Sequence, residues 1–430
     1  MSQGAEESSP SGDSSAPADA PRLPLLEPSG GVPPVLSTLA QINDAAAALA
    51  AGTGPVALDA ERASGYRYSQ RAYLIQIKRE GAGSFLIDPT EVDDLGQVQR
   101  AISSDEWILH AASQDLPCLR EVGLRPSVLF DTELAGRLAG MERVGLGPMV
   151  EQVLGLRLEK GHGAADWSTR PLPEPWLRYA VLDVEVLVEL RHALAADLDR
   201  QGKTEWARQE FAAVVAAAAP PPRVDPWRRV SGMHKVRKAR GLAVVRELWH
   251  ARDDIARSRD IAPGRILQDV AIVNAALADP PPLTRETLTA TAGFKGRGAA
   301  RHLPVWLAAI SRAYALKDAD LPPTVRHGDG PPHPRNWADR NPEAANRLVI
   351  ARRIVTDLAD RHRIPVENLL TPDHLRRLCW TPPWGDLAPT SEAAVASAHE
   401  FLEGLGARTW QRELVLTDLL PALAAPPTQE

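Results

Sequence analysis

The chain has 430 residues, enough for two to four domains, and its 44% hydrophobic and 24% charged content is that of an ordinary globular protein. A net charge of −6 argues against a uniformly basic nucleic-acid coat and leaves room for local basic patches. Two cysteines, Cys118 and Cys379, are too few and too far apart for a disulfide framework or a zinc cluster and fit a reducing cytoplasm. No run of about 18 apolar residues marks a membrane span, and the N-terminus lacks an apolar signal segment.

Residues 1–24 are Ser, Pro, Ala and acid, too polar to fold, and are expected to be a disordered tail. Ser37 or Thr38 caps a helix running from Leu39 to about Ala51, which Gly52 and Gly54 stop. Three strands follow at close spacing, 56–60, 72–77 and 84–89, and so read as an antiparallel meander. Helical and strand patterns then alternate: helix 96–102, strand 107–110, a helix capped by Ser113, strand 128–132 leading into helix 133–138, and helix 148–154. A polar loop covers 158–175, and one amphipathic helix covers 176–198. This predicts an α/β domain over 25–215, a mixed sheet with flanking helices. A Pro-rich linker (216–226), a helical domain (227–316), a Pro/Gly-rich linker (317–342) and a second helical domain (343–424) complete the chain. The two all-α modules share a pattern, an Arg-rich helix followed by Pro and then Leu-Leu.

The apolar run Val56-Ala57-Leu58 ends in Asp59-Ala60-Glu61. On a strand, Asp59 and Glu61 share a face, and two carboxylates forced together repel unless a hard cation joins them. Asp115 falls in the first turn of its helix, where a carboxylate also serves the helix dipole. Tyr179 and Asp183 are four apart on a mostly apolar helix face, so Asp183 needs a partner: a metal, an Arg, or the tyrosine itself.

Together, Asp59, Glu61, Asp115 and Asp183, with Tyr179 four before the last, resemble the site of the DEDD exonuclease superfamily in its Tyr-containing branch, and within it the ribonuclease D family. The matching stretches are VALDAERASGYRYSQRAYLIQI (56–77), ILHAASQDLPCL (108–119), RYAVLDVEVL (178–187) and the preceding loop DWSTRPLPEPWLRYA (166–180). The His branch places histidine five before the last aspartate, where this chain has Arg178. VVRELWHARDDIARSRDIAPGRILQDVAI (244–272) is similar to the HRDC domain, and 343–424 to that family's second HRDC-like module.

The resemblance implies a ribonuclease H-like α/β fold over 32–215 and a 3′→5′ exoribonuclease that releases nucleoside 5′-monophosphates. It also implies two divalent ions, Mg²⁺ or Mn²⁺. Asp59, Glu61, Asp115 and Asp183 would hold them, and Tyr179 would orient the attacking water. The partner would be RNA with a free 3′ end, tRNA precursors in particular, met by a cytoplasmic monomer. Tyr68, Tyr73, Gln76, Trp167 and Arg170 are the expected substrate contacts, with Tyr66 in the same aromatic cluster; strand tyrosines also pack sheets. A basic start to the first helical module, including Arg228 and Arg240, suits backbone phosphates. A 3′→5′ DNA exonuclease and a non-catalytic RNA-binding protein are the alternatives. No GxxxxGK[ST] pattern occurs, so the resemblance carries no helicase activity.

Overall fold

The computed structural model describes residues 23–92, 94–159, 161–219, 221–325 and 330–424. Most of the expected tail (1–22), Pro220 of the first linker and 326–329 of the second lie outside them. Residues 23–24, expected to belong to the tail, are ordered: the Pro24 carbonyl accepts from Arg157 N, and Leu26 N donates to the Arg157 carbonyl.

The first part of the chain supplies β1 (Val35–Leu36), α1 (Leu39–Ala51), β2 (Thr53–Arg62), β3 (Ala72–Glu80), β4 (Gly83–Ile87), α2 (Gly96–Ile102) and β5 (Glu106–Leu109). It continues with α3 (Leu116–Glu121), β6 (Val128–Asp131), α4 (Thr132–Ala139), α5 (Leu146–Leu154), α6 (Glu174–Glu185), α7 (Leu187–Arg200) and α8 (Thr204–Ala216). Thr38 caps α1 in a reciprocal capping box with Gln41. The six strands lie in the order β1-β4-β3-β2-β5-β6. The β2-β3-β4 meander is antiparallel, while β1 on β4, β5 on β2 and β6 on β5 are parallel, so the sheet is mixed as expected. Strand β2 sits in the interior, with Val56, Ala57 and Leu58 fully buried. Two local expectations are corrected. Helix α3 begins at Leu116 with Asp115 as its N-cap residue, because 111–115 form turns instead of a helical start. The expected single helix 176–198 is two, since Val186 at φ −88°, ψ −15° bends the chain. The bend lets α6 cover β2, β3 and β4 while α7 covers β2 and β5.

The rest is helical. After short 3₁₀ turns come α9 (Ala239–Arg259), α10 (Pro263–Ile266), α11 (Asp269–Leu277), α12 (Arg285–Ala290), α13 (Arg297–Arg301) and α14 (Leu303–Ala315). These are followed by α15 (Trp337–Arg340), α16 (Pro342–His362), α17 (Val366–Leu369), α18 (Pro372–Trp380), α19 (Glu392–Gly404) and α20 (Thr409–Ala424). Both 21-residue helices, α9 and α16, end on a non-glycine residue in the left-handed region, Asp260 at φ 48° and Arg363 at φ 52°. Each is followed by a short helix that opens at or just after a proline. Helices α9–α14 bury their own core around Trp306, Phe294 and Leu248. Helices α15–α20 instead share a continuous core with the α/β part. Trp206 of α8 stacks on Trp410 at 4.6 Å and 14°, and Trp410 Nε1 donates to Glu210 at 3.0 Å. Trp337, expected in a linker, is fully buried in that shared core.

Candidate active site

Strand alternation puts Asp59 and Glu61 on the face that α6 covers, and α6 brings Asp183 down onto them. One carboxylate oxygen from each of Asp59, Glu61 and Asp183 lies within 4.8 Å of the others. Glu61 is 7% exposed and Asp183 8%. Tyr179, one turn before Asp183, lines the same cleft, and its phenol and the Asp183 carboxyl act on each other electrostatically. These groups line a cleft of about 530 Å³ whose other wall carries Asp115, Gln114, His110 and Glu133.

Asp115 approaches from the parallel side of β2. It is 5% exposed, and its Oδ1 lies 3.3 Å from Arg62 Nη2. A register irregularity between Glu61 and Arg62 breaks the strand alternation where Arg62 turns toward Asp115. The turn that aims Asp115 is held from below. Asp131, 1% exposed, accepts from Ala111 N at 3.1 Å, Ala112 N at 2.8 Å, Glu133 N at 2.9 Å and Leu134 N at 3.2 Å. Its carboxylate therefore caps α4 and fixes the turn in which Ala111 takes φ 58°. His110 Nδ1 meets Thr132 Oγ1 at 2.9 Å, and that hydroxyl lies 3.3 Å from the Leu109 carbonyl oxygen.

Burial dominates the electrostatics. It raises Asp59 and Asp183 above the ordinary carboxylate range, and it raises Glu61 far above, with Asp59, Asp183 and Asp115 adding repulsion. Asp115 is pushed up to about 8 by burial and the charge of Asp59, against the pull of Arg62. The ion pair and the raised value oppose each other; burial wins because Arg62 is 26% exposed and makes one contact. Burial also raises the Tyr179 phenol and lowers His110 to about 4. Three carboxylates crowded together away from water are a costly arrangement for a bare protein. An all-oxygen donor set of this span suits a hard divalent cation, so the residues fit one.

The expected substrate contacts are not brought to this cleft. Tyr68 Oη donates to Asp253 of α9 at 3.1 Å, and Tyr73 Oη to Asp260 at 3.4 Å. Gln76 is fully buried opposite Asp59 on β3, with no partner for either amide atom among the described residues. Trp167, also fully buried, packs behind Tyr179 with ring centroids 6.5 Å apart. Arg170 Nε bonds Asp88 at 2.6 Å and its Nη2 the Tyr73 carbonyl at 2.8 Å, tying the loop before α6 to β3. Two groups the sequence reading did not single out are Arg62 and Asp131. An Asp-Thr pair between a strand and a helix signals the Asp131 cap; nothing local signals Arg62.

Comparisons with known proteins identify the family. Residues 34–199 match the family model "3'-5' exonuclease", 241–310 "HRDC domain" and 330–423 "3' to 5' exonuclease C-terminal domain". The ribonuclease D of Nitrobacter hamburgensis is 30% identical over 277 residues, 63% of this chain and 68% of that protein. A crystal structure of a protein from Bifidobacterium adolescentis matches at TM-score 0.83 and 38% identity, covering 94% of this chain and 100% of that one. Escherichia coli RNase D, an exoribonuclease involved in structured RNA processing, matches at TM-score 0.61 and 25% identity, covering 86% of this chain and 98% of that one. The chain belongs to the ribonuclease D family of 3′→5′ exonucleases.

Proposed function

We propose that this chain removes nucleotides one at a time from the 3′ end of structured RNA precursors, tRNA among them, and releases nucleoside 5′-monophosphates. One observation carries the reading: the Asp59, Glu61 and Asp183 carboxylates converge within 4.8 Å in a cleft that the Tyr179 side chain also lines. The RNA substrate is supported by the ribonuclease D relatives. Asp59, Glu61 and Asp183 would hold a divalent cation, Mg²⁺ or Mn²⁺, and Asp115 would serve a second ion. Bound there, such ions neutralise phosphate charge and make water a nucleophile at neutral pH. Tyr179 keeps its proton, because burial and three carboxylates raise its pKa. It therefore acts as a hydrogen-bond donor that orients water next to Asp183, and not as the base. Arg62 holds Asp115 at the second wall through a 3.3 Å contact. Asp131 fixes the backbone under it and is a positioning residue.

Among the described residues no helix is long and apolar enough to cross a membrane. The proposed setting is a monomer acting in the cytoplasm. The test is a time course on a 5′-labelled single-stranded RNA and its DNA twin, with Mg²⁺, with Mn²⁺ and with chelator. Stepwise shortening of RNA that stops in chelator is expected. Shortening that survives chelation refutes the metal, and preference for DNA refutes the RNA assignment.

A further inference from the structure

The arginines expected to meet nucleic acid at the start of the helical region are engaged inside the protein. Arg228 donates to Asp225 at 3.3 Å and to the Pro323 carbonyl at 2.9 Å. Arg240 donates to the Ala313 and Leu316 carbonyls at 2.9 and 2.7 Å and to Asp318 at 2.8 Å. A different set of arginines is left without counter-charge.

Between the end of α9, α10 and α13 lies a cavity of about 200 Å³ lined by Arg259, Arg265, Arg297, Arg301 and His302, with no carboxylate in its wall. Among the described residues the side chains of Arg259, Arg297 and Arg301 make no salt bridge or hydrogen bond, and all three are exposed. The nearest acid in sequence, Asp260, is turned away: it accepts from Ser69 N at 2.8 Å and Tyr73 Oη at 3.4 Å. Gly298 makes the convergence possible. A Cβ there would lie 2.6 Å from the Arg265 carbonyl oxygen, so only glycine lets α13 close on α10. Planar guanidiniums held together without an acid form a site for phosphate oxygens, which they meet through paired N–H donors.

The cavity is close to the cleft along the chain. Arg265 Nε donates to the Gly65 carbonyl at 2.9 Å, and its guanidinium lies over the Tyr66 ring at 4.0 Å. Gly65 is three residues beyond Arg62, which lines the cleft, and three residues reach at most about 11 Å. We propose that this cavity seats a backbone phosphate of the same RNA strand whose 3′ end lies in the acidic cleft, a few nucleotides upstream. The proposal rests on the exoribonuclease reading for its ligand, and its test does not depend on hydrolysis.

The experiment compares the parent chain with Arg259→Gln/Arg297→Gln/Arg301→Gln. A charge-matched control is Arg200→Gln/Arg208→Gln/Arg361→Gln, whose side chains are also largely exposed. Exposed substitutions of this kind leave the fold intact, which equal melting temperatures verify. Binding of a 30-nucleotide single-stranded RNA is measured in chelator over a salt series. The cavity variant should lose about tenfold or more in affinity. Its log K against log salt slope should flatten by about 0.7 for each phosphate released, and a matched DNA strand should show the same flattening. Parent-like affinity and slope in the cavity variant overturn the proposal, as does an equal loss in the control. An absence of hydrolysis by the parent would sink the exoribonuclease reading alone and leave the binding result standing.

Discussion

Replacing Asp115 with Asn separates burial from ion pairing at the cleft. Asn keeps the shape and removes the titration. In the metal-free fold Asp115 titrates at about 8, against an ordinary 3.8 in the unfolded chain. A carboxyl raised in this way contributes stability that is complete below 3.8 and is lost as pH rises toward 8. At pH 7 the loss is 1.36 kcal/mol for each of roughly three pH units, about 4 kcal/mol. The opposing pull of Arg62, 3.3 Å away, is already contained in the value of about 8. The net expectation is that Asp115→Asn is more stable than the parent by about 4 kcal/mol at pH 7 in chelator. At about 2–4 °C per kcal/mol for a unit of 150–250 residues, the melting temperature rises by several degrees. The gain should shrink to nothing near pH 4, where the parent carboxyl is protonated in the fold and increasingly in the unfolded chain. The assay is a thermal melt of both proteins in chelator from pH 4 to pH 8. A variant that melts at or below the parent at pH 8 refutes the reasoning, because the Arg62 pair would then outweigh burial.

Mg²⁺ at a hundred times its dissociation constant should stabilise the parent by about 2.7 kcal/mol, and Asp59→Asn or Asp183→Asn should abolish both this gain and RNA shortening. Equal metal-dependent melting shifts in parent and variants would remove these residues from the ligand set. Tyr179→Phe, which removes the hydroxyl proposed to hydrogen-bond the attacking water, should slow hydrolysis by about 10- to 100-fold and leave RNA affinity unchanged; single-turnover rates and filter binding check the split. Trp410→Ala opens the shared core at the Trp206 stack and strips Glu210 of a donor. It should destabilise the chain by about 3–5 kcal/mol, read from the urea midpoint, and a loss under 1 kcal/mol would show the helical end to be only loosely seated.

The acidic site was legible because its information is local. Asp59 and Glu61 declare themselves through strand alternation, Asp183 and Tyr179 through helical spacing, and no long-range knowledge is needed to place either pair on one face. The expected substrate contacts, by contrast, lie outside the lining of the cleft. Tyr68 and Tyr73 sit just beyond the catalytic strand, yet their hydroxyls are claimed by Asp253 and Asp260, some 185 residues away in sequence. Nothing within the 63–73 stretch distinguishes a tyrosine waiting for a base from one waiting for α9. The same limit hid Arg62, whose side chain would alternate to the face opposite Glu61 if the register did not slip between them. It also hid the continuity of α15–α20 with the α/β core, since a composition break at 317–342 suggests separation and cannot reveal that Trp337 is buried in that core. The loop that leaves the acidic strand therefore does not end in a free surface for the substrate. It is pinned by Ala262 N to the Tyr66 carbonyl at 2.9 Å, by Arg265 to Gly65 and by Asp260 to Ser69. A helical module held by this many bonds to the segment following Glu61 stays in fixed register with the cleft, so its arginines can act on an RNA strand only at a set distance from the bond being cut.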